Sequence, residues 1–134
     1  MKKIKRFKIK SYSRISGNLK PLNFNKKFPI NVKRIFFIYG KKNKIRGEHA
    51  HKKCYQFFIP ISGKMILNIQ TPNSKKKIKL EDMSKTAILV PPKYWCSIKF
   101  IRKNSILMVA CNRYYEPNDY IENFDVYKKY LSKK

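Results

Sequence analysis

Several things are in short supply in this chain. Its three cysteines, Cys54, Cys96 and Cys111, cannot all pair with one another, and no two form a Cys-x-x-Cys. A disulfide framework is therefore not expected, which suits a reducing compartment, and each thiol reads as a small buried hydrophobe. Long apolar runs are missing too. The longest uncharged stretches, such as Gln56-Phe57-Phe58-Ile59-Pro60-Ile61, are far too short to cross a bilayer. The basic start, Met1 to Arg6, is followed by no apolar h-region or small-residue cleavage site. There is no Gly-x-Gly-x-x-Gly and no Walker loop, so nucleotide binding of those kinds is not indicated. No linker, internal repeat or low-complexity tract interrupts the chain. A soluble cytoplasmic protein with no membrane insertion is expected.

Acidic residues are scarce as well: seven Asp and Glu face 33 Lys and Arg, for a formal charge of +26. Such a balance suits a nucleic-acid binder or a protein on anionic lipid. Its distribution argues otherwise. Arginine occurs only at positions 6, 14, 34, 46, 102 and 113, and alanine only at Ala50, Ala87 and Ala110. Lysine, isoleucine, asparagine, phenylalanine and tyrosine are abundant, as AT-rich codons produce. The lysines are spread in pairs, with Lys75-Lys76-Lys77 the one triplet and no basic stripe. The charge reads as codon bias plus a positive field that gathers small anionic substrates, with no specific nucleic-acid partner.

What is present is globular. Hydrophobic residues make up 43% and aromatics 14% of 134 positions, enough for a core and too short a chain for two domains, so residues 1–134 form one domain. Short apolar stretches alternate with turn signals: Arg34–Tyr39 before Gly40, Gln56–Ile61 before Ser62-Gly63, and Lys64–Gln70 before Thr71-Pro72-Asn73-Ser74. Lys75–Leu80 reads as the return strand of that hairpin. Ala87–Val90 stops at Pro91-Pro92, Ser97–Phe100 alternates, and Ser105–Ala110 is a buried-strand run. This spacing predicts an all-β sandwich or barrel over roughly residues 5–117. From Asp119 onward, Tyr120, Phe124, Tyr127 and Leu131 recur at helical spacing, so a C-terminal α-helix is predicted over roughly 119–131, capped by Asn118-Asp119.

One segment stands above this background: Arg46-Gly47-Glu48-His49-Ala50-His51-Lys52. It holds both histidines of the chain, two residues apart. On a strand these project from one face, and two imidazoles on one inner face mean a metal site or an acid–base site. The bland alternative is a pair of solvated histidines on an outer face.

Gly47-x-His49-x-His51-(x)4-Gln56-(x)6-Gly63 follows the first cupin motif, and Pro91-x-Lys93-x-x-Cys96 sits where the second belongs. More specifically, Arg46 to Lys52, Gln56, Pro91-Pro92-x-x-Trp95 and the Tyr115 to Ile121 element resemble the sugar 3,4-ketoisomerases, cupin enzymes acting on dTDP-4-keto-6-deoxyglucose. The resemblance runs from roughly Arg14 to Leu131 and implies a single jelly-roll cupin, a homodimer, and no metal or other cofactor. Two departures from metal-binding cupins agree: Gln56 stands at the usual glutamate position and Cys96 at the second-motif histidine, although a Cys96 thiolate with two imidazoles is a set zinc accepts. The implied chemistry is enolisation of a keto sugar, for which imidazoles have the right pKa. His51 is expected as the carbon base, His49 as its partner and Tyr39 as the one phenol on its strand. Arg46, Gln56, Trp95 and Tyr115 are expected at the substrate. Arginine is usual after Asp-Tyr-Ile in the family, and this chain has Glu122. The rival readings are a non-catalytic sugar-binding cupin, a basic nucleic-acid-associated module and, nearest in chemistry, a dTDP-sugar epimerase.

The charge reading is testable by fluorescence anisotropy with duplex DNA at several salt concentrations. Scattered lysines should give weak, sequence-independent binding with a steep salt slope. A tight complex that survives near physiological salt would move the assignment to nucleic acid.

Overall fold

The computed structural model describes residues 1–133. Twelve strands and one helix follow in chain order among them: β1 (Lys5–Lys8), β2 (Tyr12–Arg14), β3 (Gly17–Leu19), β4 (Arg34–Gly40), β5 (Ile45–His51), β6 (Gln56–Ser62), β7 (Lys64–Thr71), β8 (Ser74–Glu81), β9 (Thr86–Val90), β10 (Trp95–Phe100), β11 (Ser105–Cys111), β12 (Tyr120–Ile121) and α1 (Phe124–Ser132). The strands build two five-stranded sheets in the orders β1-β9-β6-β11-β4 and β12-β5-β10-β7-β8, with β2–β3 a separate hairpin. The pairings are antiparallel, and the two sheets face each other as a jelly-roll sandwich.

The patterning follows from which faces are covered. Phe58, Leu67, Ile69, Ile78, Leu80, Ile88, Val90, Ile98, Phe100, Leu107 and Val109 fill the space between the sheets. The alternate residues of β6, β9 and β11 (Phe57, Ile59, Ala87, Leu89, Met108 and Ala110) are buried on the other side of their sheet. There Phe7, Ile9, Leu22, Phe28, Ile30 and Val32 of the N-terminal segment lie over them. Strands covered on both faces read as unbroken apolar runs, which is why these three stood out in the sequence. At β7–β8, Thr71 pairs with Ser74 across Pro72-Asn73, closing the predicted hairpin on a two-residue loop.

The tail departs from the predicted helix at its start. Pro117–Asp119 forms a single 3₁₀ turn and Tyr120–Ile121 is a short strand, so the helix begins five residues later than expected. Its N-cap is Asn123, whose side-chain oxygen accepts from the Val126 N–H at 3.0 Å, in place of Asn118-Asp119. Tyr120 falls four residues before Phe124 by coincidence of spacing: its backbone pairs with His51, and Ile121 pairs with Ala50. The helix then folds back onto the outer face of the second sheet, where Tyr127 is fully buried against Ala50, Ile121 and Trp95. The Tyr127 hydroxyl lies 2.8 Å from the Lys93 carbonyl and 3.2 Å from that of Gln70, satisfying its one polar atom. No helix among the described residues is long and apolar enough to cross a membrane.

Candidate active site

The site is built on β5, which runs between β10 and β12. His49 and His51 share a face, as their spacing requires. Arg46 would normally face the other way. Opposite it, however, the register slips by one residue: Cys96 pairs with His49, and Ile98 pairs with Arg46. The extra residue is a β-bulge at Gly47, whose φ of 78° is a left-handed conformation that favours glycine. The bulge brings Arg46 to the side of the sheet that His49 occupies. Both line a cleft of about 580 Å³ with Phe36, Ile38, Gly47 and Tyr120. A hollow of similar size, about 570 Å³, lies between the N-terminal hairpin and the barrel and is lined by neither histidine.

His51 is 4% exposed, and its Nδ1 lies 2.8 Å from Asp119 Oδ2. The Asp119 carboxylate also accepts the Lys53 N–H at 2.7 Å and the Cys54 N–H at 3.3 Å. An oxygen pair that is accepting already takes a hydrogen from the ring as well, so Nδ1 carries it and Nε2 holds a lone pair. Nε2 is buried with no hydrogen-bond partner among the described residues. The arrangement, an imidazole oriented by a carboxylate, is one that can serve a general base. Burial lowers the pKa of His51 below its ordinary value, against the opposing pull of Asp119, and the nearby Arg34 cation lowers it further. Burial takes His49 down to about 4, aided by His51, so at neutral pH both rings are uncharged.

Tyr120 packs against both rings, with centroids 4.9 Å from His49 and 4.4 Å from His51. Its hydroxyl accepts from Arg34 Nη2 at 3.3 Å, and the same nitrogen donates to Cys111 Sγ at 3.6 Å. The guanidinium lies over the rings of Phe36 and Tyr115, 5.3 and 5.6 Å from their centroids. On the other side Gln56 pairs with Cys111 on the neighbouring strand, and Cys54 lies in the same buried cluster. Of the two thiols Cys111 is the one driven down, by the Cys54 hydrogen bond first and then by the Arg34 cation, while Cys54 is driven up. A guanidinium on a buried sulfur thus lies directly behind the phenol.

Of the residues expected at the site, the structure brings together His49, His51, Arg46 and Tyr115, whose ring lies 5.6 Å from that of Tyr120. Gln56 lies beneath them, buried, with its side chain on Cys111 and not in the cleft. Gln56 is thus not where it was expected, and two further expectations are overturned. On β4 it is Arg34, Phe36 and Ile38 that turn inward, so Tyr39 has the opposite parity and is 73% exposed on the outer face. Trp95 has the opposite parity to the core residue Cys96 and lies under α1, its ring edge-on to Phe124 at 5.2 Å, away from the barrel mouth. The Cys96 thiol is pushed up to about 12 by burial, a poor source of thiolate. The metal-capable side chains that do converge among the described residues are His51, Cys54 and Asp119. Their carboxylate is already engaged by His51 and two backbone N–H groups, and Cys54 is held as a thiol, so this set does not fit an ion.

Asp119, Arg34 and Cys111 were missed by sequence reasoning. Asp119 and Tyr120 lay inside the Asn-Asp-Tyr-Ile element that carried the resemblance, but read there as a helix cap. Arg34 had no local signal beyond being one of six arginines.

A jelly-roll barrel of this kind is of the cupin class, and the carboxylate-supported imidazole, second imidazole and phenol beside its cleft are groups able to move protons. Residues 2–132 match the family described as FdtA, WxcM-like, C-terminal, and the chain belongs to that family. It is 32% identical over 118 residues to TDP-4-oxo-6-deoxy-alpha-D-glucose-3,4-oxoisomerase of Aneurinibacillus thermoaerophilus, covering 87% of this chain and 84% of that one. Among solved structures it resembles a histidine-to-asparagine mutant of the 3,4-ketoisomerase QdtA of Thermoanaerobacterium thermosaccharolyticum in complex with TDP-4-keto-6-deoxyglucose. The TM-score is 0.90 and the identity 27%, over 98% of this chain and 95% of that one. The rmlC epimerase of Mycobacterium tuberculosis shares the fold at a TM-score of 0.75 and 14% identity, over 87% of this chain and 66% of that one.

Replacing Asp119 with Asn leaves one accepting oxygen where three groups now donate to two, so the His51 tautomer is no longer fixed. Turnover should fall by about two to four orders of magnitude, the scale of a misdirected general base, with the fold intact by circular dichroism. In the wild-type enzyme the acid limb of kcat/KM should lie below pH 6.5, because a base with a lowered pKa is lost only as pH falls past that lower value. A limb above that pH, or full activity in Asp119→Asn, would remove His51 from the role of base.

Proposed function

We propose that this protein is a sugar nucleotide 3,4-ketoisomerase that converts dTDP-4-keto-6-deoxyglucose to a dTDP-3-keto-6-deoxyhexose through an enediol. The observation that carries the mechanism is the His51–Asp119 contact at 2.8 Å, with Nε2 left as an unpartnered lone pair. Family membership and the 3,4-ketoisomerase relatives support the substrate, and the epimerase reading rests on fold alone. The carbonyl at C4 acidifies the hydrogen on C3. His51 Nε2 removes it and returns it to C4, the sugar ring entering past His49 and Tyr120. His49, uncharged at neutral pH, donates its ring N–H to a sugar oxygen and polarises it. Arg46, turned into the cleft by the Gly47 bulge, offers a forked donor to the diphosphate, and Tyr115 offers a face beside Tyr120. The electrons remain within the sugar, so the reaction calls for no redox cofactor.

The product has the form an aminotransferase consumes in making a 3-amino sugar for a surface glycan, and a cytoplasmic location, beside the supply of nucleotide sugars, goes with that reading. A homodimer fits the surface. β4 is a sheet edge, and its outer face presents Ile35, Phe37 and Tyr39 to solvent, an apolar stripe that a second copy would cover.

The test is to incubate the protein with dTDP-4-keto-6-deoxyglucose in heavy water and follow the sugar by proton NMR. A 3-keto product carrying deuterium at C4 is expected. An epimerised 4-keto sugar, or no reaction, would replace this reading. His51→Asn should lower turnover by about two to four orders of magnitude while TDP still binds. Protein stripped by a strong chelator, with metal loss confirmed by elemental analysis, should keep full activity. Activity that vanishes and returns with added zinc or iron would refute the metal-free mechanism.

A further inference from the structure

Exchanging a 4-keto-3-hydroxy sugar for its 3-keto-4-hydroxy isomer moves two hydrogens, one between carbons and one between oxygens. His51 carries the first in the reaction proposed above, on which this inference rests. The second has no carrier there, since His49 acts as an uncharged hydrogen-bond donor. Tyr120 is the remaining cleft residue with a transferable hydrogen beside both imidazoles. Strand pairing opposite His51 fixes its backbone, and Arg34 Nη2 donates to its hydroxyl oxygen. A phenol oxygen that accepts from a guanidinium keeps its own O–H hydrogen free to donate outward, and no acceptor for that hydrogen is present among the described residues.

We propose that the Tyr120 phenol is the catalytic group that moves the oxygen hydrogen, with Arg34 as its positioning residue. In the first half the C3–H bond breaks toward His51 Nε2 and a C3–C4 double bond forms. The carbonyl electron pair then takes the phenol hydrogen at O4. This leaves an enediol, an imidazolium and a phenolate. In the second half the phenolate removes the O3 hydrogen, the C3 carbonyl closes, and C4 takes back the hydrogen held by His51. Atoms, charges and electrons balance with no further reactant. O3 and O4 are on adjacent carbons, so one phenol can serve both.

The surroundings suit this cycle. Facing the phenol are Arg34 of β4, Cys111 of β11, Cys54, His49 and His51 of β5, and the Tyr115 ring. Burial raises the pKa of Tyr120 and outweighs the lowering by Arg34, so the resting phenol keeps its hydrogen at neutral pH, as the first half requires. The Arg34 cation then lies 3.3 Å from the oxygen that becomes negative midway.

Two variants test the assignment. Tyr120→Phe keeps the ring against both histidines and removes the hydroxyl. Its kcat should fall about 10²–10⁴-fold with TDP affinity and thermal midpoint unchanged. Replacing Tyr120 with 3,5-difluorotyrosine keeps the hydroxyl but makes it more acidic. The alkaline limb of kcat should move down by the difference between the two free phenols, because activity ends where the phenol loses its hydrogen. A structural ring would move neither. Near-wild-type kcat in Tyr120→Phe, or an alkaline limb that stays put in the fluorinated enzyme, overturns the proposal. Should the Phe variant not fold, the fluorinated enzyme decides alone. Wild-type protein assayed in parallel reports on the isomerase reading itself, so its failure is distinguishable from loss confined to the variants.

Discussion

The rest of the site depends on the contact between Asp119 and His51. It joins residues 68 positions apart and is shielded from water on both sides, 4% and 8% exposed. Asp119 takes three hydrogen bonds, from His51, Lys53 and Cys54, so one carboxylate both orients the ring and pins the loop that leaves β5. Burying a carboxylate is expensive unless its lone pairs are filled, and here they are. Tyr120 follows it directly, so the residue that fixes the imidazole tautomer also delivers the phenol.

Around this contact the barrel supplies a dry, polarised setting. Both imidazoles are uncharged at neutral pH because burial disfavours their cations, and a neutral imidazole is the form a base must have. Arg34, a half-buried cation, stands behind the phenol and is held there by Cys111, two aromatic faces and the phenol itself. In the cycle proposed above its charge is thereby placed beside the oxygen that becomes negative. The +26 of the whole chain lies on surface charges that salt screens, so it plays no part at this scale.

The Gly47 bulge shows how one residue changes a strand's chemistry. Without it, Arg46 and His49 would have opposite parity and face opposite sides of the sheet. With it, they meet on one wall of the cleft. A side chain at position 47 would have to accept a left-handed backbone, which is what favours glycine there; its Cβ would also lie 3.3 Å from Ile98 Cδ1, a contact that a small shift of that side chain relieves.

Much of this protein was legible in its residues. Alternation, apolar runs and turn signals fixed the β architecture, because covered faces must be apolar at a period of two. The same arithmetic put His49 and His51 on one face, and the motif around them named the family. Elsewhere local pattern was ambiguous. Tyr120 sits at helical spacing from Phe124, yet the ladder to β5 holds it as strand, and only that pairing makes it a site residue. Tyr39 and Trp95 were plausible on composition and were turned away by parity, which a strand register decides and a sequence window does not. Asp119, Arg34 and Cys111 meet the histidines across separations that no spacing rule covers. The sequence by itself determined which elements form and which pair of imidazoles they present. Only the tertiary structure decided which carboxylate, guanidinium and phenol stand beside them: β12 laid along β5 brings Asp119 and Tyr120, and the facing sheet brings Arg34, through contacts between strands distant in the chain.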